Sequence, residues 1–506
     1  MEARARMSGS KRKPGRRLAF GLTSGAVLAM AAAAQDGPPG KPPSEAAAVQ
    51  PGPVAGPDPL SRRQGRPPPR EPPRADLGVV QIPVDPKRRI PFRKSGPATP
   101  TASAAPSAAK PASPPPPPCP TQLPFEGPLP PIKTVSVVKD FGNVAWHICA
   151  TDLGRKGLWI GPIELRRSPS EPWIGVISQA GLADIFVPYH VSGAFRSYQL
   201  QTTTALSPIS LQDVGTQGGR LWFSNETFPT LAYELRDRGI AWMCKGGFSS
   251  GTGRGQEFVL WAHSDAGNDD NIIEYSFRDD GSIGFRLGTS GYNLVGRQDE
   301  PHTHNALWYV DIDLNGASGD RPWRLPHWEP AGSLTADPLV AWDHPEFLHN
   351  EGSLALDPAR LDAVLIEDIT GNAFGNRLGY RVAPLENAQT RHFGPRESWT
   401  AKDVHVTRYH TPDLAWASPI AAWSSPEDYL LDALNGEATA NQDLVLWVKT
   451  ASHHHPTDEE RVPSDLMAIF TPGMNGISLV RWSGFEMKPY NLFTANPLGA
   501  PVRCGP

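Results

Sequence analysis

Apolar and polar residues alternate in short runs through most of the chain. Residues 157–165, 281–287 and 443–449 are examples, and Gly, Pro, Asn and Asp separate such runs. A period of two is typical of β-strands that bury one face. No long segment with the 3.6-residue period of a helix competes with this pattern. The chain is therefore predicted to be all-β, with a large antiparallel β-sandwich over residues 132–506.

The first 34 residues have a different pattern. Basic residues precede an apolar run at 18–31, and three alanines at 32–34 follow it. This order is typical of an export signal with a small-residue cleavage site, so we expect the protein to be exported to the periplasm or the cell exterior. An uncleaved single membrane anchor is the alternative, although the apolar run is short for a span.

Residues 35–131 are rich in Pro, Ala, Gly and Ser and contain about half of the chain's 56 prolines. Such a segment has too few apolar residues to offset the entropy cost of ordering. We expect a disordered linker that is dispensable for folding of the sandwich.

Charge argues against one function class, and the cysteine content allows disulfides. The net charge of −4 and the pI of about 6.4 do not provide the basic surface of a nucleic-acid-binding protein. An exported protein can form disulfides, and the chain has four cysteines, Cys119, Cys149, Cys244 and Cys504. Three pairings are possible, and the sequence does not choose between them.

Candidate chemistry begins with three histidines in strand-like sequence, His302, His304 and His454. Residues at i and i+2 on a strand point to the same face, about 7 Å apart, so His302 and His304 can bind one ion together. Three neutral imidazoles suit Cu(II) or a catalytic Zn(II). The alternative is a set of hydrogen-bonded histidines in a β domain.

Two aspartates follow the histidines on the same predicted strand. Asp311 and Asp313 have the opposite parity to His304, and Asp311 lies about 23 Å from it along an extended strand. They cannot share the histidines' ion. With Asp443, they offer the oxygen ligands that Ca²⁺ prefers, or they are solvated carboxylates at a strand end.

Several of these segments, in this order, resemble the copper amine oxidase family over about residues 133–495. His302-Thr303-His304-Asn305, followed by Asp311-Ile312-Asp313, resembles the family's His-x-His strand and its acidic end. The other segments with this resemblance are residues 182–189, 213–218, 441–447 leading to His454, and 485–491.

The resemblance implies a β-sandwich catalytic domain, often a homodimer, that oxidises small primary amines to aldehyde, ammonia and hydrogen peroxide. It implies copper at His302, His304 and His454 and a peripheral calcium at Asp311, Asp313 and Asp443. It also implies that Asp213 is the catalytic base and that Tyr189 hydrogen-bonds the quinone cofactor. For Asp213, a simple turn aspartate beside Gly215 is the alternative.

One position departs from the family. The family makes topaquinone from a tyrosine, and Asp269 stands at that position in this chain. A carboxylate has no ring to oxidise, and Tyr275 lies about 20 Å further along an extended strand. We therefore predict an exported copper-binding protein of this family without quinone-dependent turnover. The alternatives are a three-histidine Zn or Cu enzyme of another class, with a water near Asp269, and a non-catalytic metal-binding sandwich.

Overall fold

The computed structural model describes residues 115–120 and most of 133–500. The gaps are 154–156, 198–205, 215–219, 223–227, 247–248, 267, 294–296, 298, 326–344, 359–361, 386–390, 392–396, 411–429, 431–432 and 461–476. The predicted export signal and all of the predicted linker except 115–120 lie outside the described residues.

The described residues are almost entirely β-strands. The first ten are β1 (Lys133–Asp140), β2 (Ala145–Asp152), β3 (Leu158–Arg166), β4 (Ile174–Pro188), β5 (Phe195–Ser197), β6 (Arg220–Trp222), β7 (Leu231–Gly246), β8 (Ser249–Asp265), β9 (Asp269–Arg278) and β10 (Ile283–Gly291). The others are β11 (His302–Ile312), β12 (Asp320–Leu325), β13 (Glu346–Phe347), β14 (Gly352–Leu354), β15 (Ala363–Gly371), β16 (Arg377–Pro384), β17 (Val404–Arg408), β18 (Leu444–His454) and β19 (Ser478–Tyr490). A four-residue helix, α1 (Leu211–Val214), and two 3₁₀ turns, Ser398–Ala401 and Asp458–Glu460, complete the assignment.

The strands form two antiparallel sheets, as the alternating pattern predicts. One has nine strands in the order β1-β2-β3-β4-β11-β18-β17-β14, with β5 paired to β4. The other has ten strands in the order β13-β12-β15-β16-β19-β10-β9-β8-β7-β6. The prediction of a large antiparallel β-sandwich is confirmed.

The core between the sheets has an aromatic centre. Trp308 of β11 lies edge-on to Tyr275 of β9 and to Phe285 of β10, with ring centroids 5.9 and 5.8 Å apart. Its indole N–H donates to Thr450 Oγ1 of β18 at 3.1 Å. Tyr275, the tyrosine nearest in sequence to Asp269 on its C-terminal side, is a core residue whose hydroxyl donates to the Leu158 carbonyl.

Strand β11 is buried along its whole length because it lies in the centre of its sheet with apolar clusters on both faces. Its even-numbered residues, such as Ala306 and Trp308, face the core between the sheets. Odd-numbered residues such as Leu307 and Tyr309 belong to a second cluster on the opposite face. Burial on both faces explains the nearly continuous apolar sequence of this strand.

A disulfide joins Cys119 to Cys149 in β2. This bond identifies which of the pairings left open by the sequence is formed, and Cys244 is disulfide-bonded as well. Cys119 belongs to the segment that the composition predicts to be a linker, so residues 115–120 are covalently attached to the sandwich. In the part of the chain that the structure describes, no helix has the length and hydropathy needed to cross a membrane.

Candidate metal centre

Strand parity brings the three predicted histidines together. His302 and His304 share the face of β11 that carries Ala306 and Trp308, so they point between the sheets. In β18, even-numbered residues such as Leu446 face the same core, and His454 has that parity. The register pairs His302 directly with His454.

The three imidazoles form a compact buried group. Their ring centroids are 5.0 Å apart for His302 and His304, and 4.6 Å apart for His302 and His454. One nitrogen from each ring lies within 4.8 Å of the others. None of the three residues is more than 4% exposed.

Hydrogen bonds fix the orientation of two of the rings. Nδ1 of His302 lies 3.2 Å from the Glu300 carbonyl and donates to it. Nε2 of His454 lies 2.7 Å from a carboxylate oxygen of Glu460, which in turn pairs with Arg481 at 2.6 Å. The second nitrogen of each ring, His302 Nε2 and His454 Nδ1, faces the other at 3.2 Å.

This orientation leaves two lone pairs pointing at each other. Facing lone pairs repel unless a proton or a cation lies between them. Two imidazole ligands at about 2.0–2.1 Å from one ion, in cis positions, have nitrogens about 3 Å apart. The 3.2 Å separation therefore fits two ligands of a shared metal ion.

Burial keeps the ligands in the neutral form that binds metals. It lowers the pKa of His302 to about 3, and the neighbouring His304 and His454 add to this effect. Burial also lowers the pKa of His454, although the Glu460 carboxylate opposes the shift. Because protonation competes with metal binding, both shifts favour a loaded site at neutral pH.

Asp269 lies beside this group. It is 4% exposed and shares the inward parity of Tyr275 on β9. Its Oδ1 accepts the Asn268 side-chain N–H at 3.0 Å, and its charge opposes the lowering of the pKa of His302. Asp269, His304 and His454 line one small space.

Tyr189 also reaches the histidines. It forms an isolated antiparallel bridge with His302, and the two rings lie 4.7 Å apart. The side chain is 2% exposed. Tyr189, His302 and His454 thus lie in a row across three neighbouring chain segments.

Asp213 is placed elsewhere. It is an exposed residue of α1 whose carboxylate accepts the Ser210 backbone N–H and hydroxyl, each at 2.7 Å. These hydrogen bonds, that from the backbone first, lower the pKa of Asp213, whereas a general base at neutral pH needs a raised one. Asp213 lies near His263, and Nε2 of His263 is 2.7 Å from a carboxylate oxygen of Asp270. Asp270 has the opposite parity to Asp269, so Asp213 lies on the outer side of β8 and β9.

The predicted carboxylate group forms a second cluster. Carboxylate oxygens of Asp311, Asp313 and Asp443 lie within 4.8 Å of one another. Burial raises the pKa of Asp313, although a hydrogen bond with Ser178 opposes the shift. The group is separate from the histidines.

Three further features escape a reading of the sequence. Glu460 contacts His454 from a 3₁₀ turn six residues later, a spacing that no strand period predicts. Glu351, His410 and Glu437 form another group with metal-ligand spacing, but the Glu351 carboxylate already accepts four backbone N–H groups. Asp320, described below, is the third.

Comparison with known proteins agrees with the fold. Residues 300–501 match the model of the copper amine oxidase enzyme domain. Copper-containing amine oxidase 3 of Rattus norvegicus is 29% identical over 220 residues, 39% of this chain and 26% of that protein. Copper-containing amine oxidase gamma 2 of Arabidopsis thaliana is 24% identical over 273 residues, 46% of this chain and 37% of that protein.

Solved structures show the same architecture. A copper-containing benzylamine oxidase from Hansenula polymorpha superposes with a TM-score of 0.55 at 15% identity, covering 79% of this chain and 66% of that one. A lysyl oxidase from Pichia pastoris superposes with a TM-score of 0.57 over 71% of this chain and 53% of that one, also at 15% identity. The chain spans 26 to 37% of the length of the curated relatives it matches. Residues 300–501 thus resemble the enzyme domain of copper amine oxidases, and the described sandwich has the fold of the solved amine oxidase structures.

Proposed function

We propose that the sandwich is an exported copper-binding domain whose ion is held by His302, His304 and His454. The observation that carries the proposal is the pair of facing nitrogens, His302 Nε2 and His454 Nδ1, 3.2 Å apart. Three neutral nitrogen donors are a set that Cu(II) binds strongly. The relatives' names support copper over zinc.

Each residue has a defined part in such a site. The Glu300 carbonyl and the Glu460 carboxylate hold the outer N–H groups of His302 and His454, so the inner nitrogens stay available. Arg481 holds Glu460 in place. Outer hydrogen bonds of this kind orient ligands and raise their basicity. Bound copper would supply a one-electron redox centre.

Oxidation of primary amines through a quinone is not part of the proposal. Asp269 has no aromatic ring that could be oxidised to a quinone. The family reaction therefore lacks its cofactor precursor at this position.

A second candidate function rests on the Asp269 carboxylate. A buried carboxylate beside three imidazoles is the arrangement in which a base accepts a proton from a water. The metal would lower the pKa of that water, and Asp269 would orient it and take its proton. A hydrolytic or quinone-free oxidative enzyme would use the site in this way. Copper content with no hydrazine-reactive cofactor fits both candidates, and catalysed hydrolysis of an activated ester favours the second.

Copper binding can be tested with one variant. We expect the full chain to bind about one copper and His304→Ala to bind almost none, because two imidazoles leave an incomplete ligand set. Metal per chain is measured by mass spectrometry after copper loading and desalting. His453→Ala is the matched control, because His453 is exposed and stacks on His190 outside the site. Unchanged copper in His304→Ala would refute the ligand assignment.

The carboxylate group supports a second metal proposal. We propose that Asp311, Asp313 and Asp443 hold a hard divalent cation of the calcium class. Three carboxylates that converge within 4.8 Å repel one another, and an oxygen-seeking cation removes that repulsion.

Location and assembly are proposed from the sequence and the family. The basic and apolar N-terminal pattern supports export to the periplasm or the cell exterior. Membrane attachment is proposed only if that segment stays uncleaved. The family resemblance supports a homodimer, and a small primary amine as ligand if the site is active.

A further inference from the structure

Two more buried carboxylates adjoin the Asp311, Asp313 and Asp443 group. Asp320, the first residue of β12, is 0% exposed. Neither of its carboxylate oxygens has a hydrogen-bond partner among the described residues, and no lysine or arginine of that part of the chain is ion-paired with it. A buried carboxylate in this situation is strongly disfavoured unless something positive reaches it.

Neighbouring carboxylates further disfavour the ionised form of Asp320. Its cross-strand partner on β15 is Asp368, which is 2% exposed. Burial, and after it the charges of Asp368, Asp313, Asp443 and Asp311, raise the pKa of Asp320 well above its usual range. A backbone bridge to Gln442 holds Asp320 next to Asp443. Asp320 therefore lies between Asp368 and the three-carboxylate group.

The backbone here leaves room for a carboxylate. Gly319 has a φ of +117°, and a Cβ on it would come within 2.5 Å of Asp368 Oδ2. Only glycine lets that oxygen approach so closely. The Thr370 N–H donates to Asp368 Oδ1 at 2.7 Å and fixes the carboxylate in this orientation. Asp368 is thus positioned beside Asp320 rather than turned away from it.

We propose that Asp320 and Asp368 bind a second divalent cation of the calcium class, next to the cation at Asp311, Asp313 and Asp443. Cation binding ionises Asp320, and the five carboxylates together then carry a charge of −5, which one divalent ion reduces to −3 and two reduce to −1. Asp320 does not belong to the group whose oxygens lie within 4.8 Å of one another, so it serves a neighbouring position. Two carboxylates with water completing the shell suit Ca²⁺, which accepts irregular sets of six to eight oxygens.

Calcium stoichiometry tests the proposal. The full chain is stripped with a chelator and equilibrated with Ca²⁺ alone, and bound calcium per chain is measured after equilibrium dialysis. We expect two ions in the unmodified protein and one in Asp320→Asn. Asp368→Asn should also bind one, and it keeps the test valid if the first variant does not fold. Asp237→Asn, which removes an exposed carboxylate paired with Arg254, should still bind two.

A second readout separates a ligand from a merely structural carboxylate. Without calcium, Asp320→Asn should melt at a higher temperature than the unmodified protein, because it removes a buried carboxyl group that is costly to ionise. Calcium should then raise the melting temperature of the variant less than that of the unmodified protein.

The possible outcomes are distinct. No ion in the unmodified protein, or as much calcium in Asp320→Asn and Asp368→Asn as in the unmodified protein, would overturn the second site. Asp443→Asn tests the first site separately. If Asp443→Asn binds as much calcium as the unmodified protein while Asp320→Asn binds less, the first site is refuted and the second stands.

Discussion

At the scale of single residues, the metal centre depends on which nitrogen each imidazole presents. Glu460 engages Nε2 of His454, so this ligand offers Nδ1, whereas His302 offers Nε2 because its Nδ1 is bound to a carbonyl. Glu460, which lies outside the proposed ligand set, thus decides which nitrogen His454 would present to a metal ion. Asp269 would decide what chemistry that ion can support.

The first prediction concerns Asp269. Copper-loaded protein in air is expected to show no quinone absorption and no reaction with phenylhydrazine, since a carboxylate cannot be oxidised to a quinone. The visible spectrum before and after phenylhydrazine is the measurement. Asp269→Tyr is the matched variant, because it places a phenol beside Asn268 in the same space. A hydrazine-reactive chromophore in the unmodified chain would mean that another tyrosine is the precursor.

At the scale of elements, strand pairing positions residues that are distant in sequence. The β11–β18 register places His302 opposite His454, and the β12–β15 register places Asp320 opposite Asp368. The β14–β17 pair places Ser353 opposite His405. In each case an antiparallel ladder holds the Cβ atoms of two polar side chains within about 5.5 Å of each other.

The β14–β17 pair gives a prediction about pH. His405 is 2% exposed and is hydrogen-bonded to Ser353 at 2.7 Å. Burial lowers its pKa to about 4, although the Trp399 carbonyl and Asp403 oppose the shift. The unfolded chain protonates its histidines below about pH 6.5, whereas folded His405 does not until about pH 4. Between these values the unfolded state binds more protons, so His405 lowers stability as pH falls.

The test compares the unmodified protein with His405→Gln by urea unfolding. We expect the stability advantage of the unmodified protein at pH 7 to shrink by about 2 kcal/mol at pH 4.5, because glutamine does not titrate. Between pH 7 and pH 8 the difference should stay constant. An advantage that is equal at pH 4.5 and pH 7 would show that His405 does not contribute to the acid sensitivity.

At the scale of the whole molecule, the sequence predicts what depends on strand period. Alternating runs predicted the antiparallel sandwich, and the parity of His302 and His304 predicted their common face. The separation of Asp311 from His304 followed from the same period. These features are local consequences of an extended backbone.

Features that depend on tertiary approach could not be predicted in this way. Glu460 contacts His454 from a turn, and Asp320 meets Asp368 only because β12 pairs with β15. The family position of Asp213 implied a base, but its place on α1 made it a helix-capping carboxylate. The pairing of Cys119 with Cys149 is of the same kind, since composition alone assigns Cys119 to a linker.

That disulfide changes what can be removed from the chain. Composition predicts that residues 35–131 are dispensable, but the bond between Cys119 and Cys149 restricts the unfolded chain. For a sequence separation of 30, the chain-entropy relation gives a stabilisation of about 3–4 kcal/mol.

A chain starting at residue 115 keeps the bond and should unfold in urea with the same midpoint as the full chain. Two proteins lack the bond: a chain starting at Pro131 and the full-length double variant Cys119→Ser/Cys149→Ala. In both, the free energy of unfolding should fall by about 3–4 kcal/mol, and the transition should stay cooperative. Equal midpoints for all four proteins would mean that the disulfide does not contribute to stability. A lower midpoint in the chain starting at residue 115 would show that residues before 115 also stabilise the sandwich.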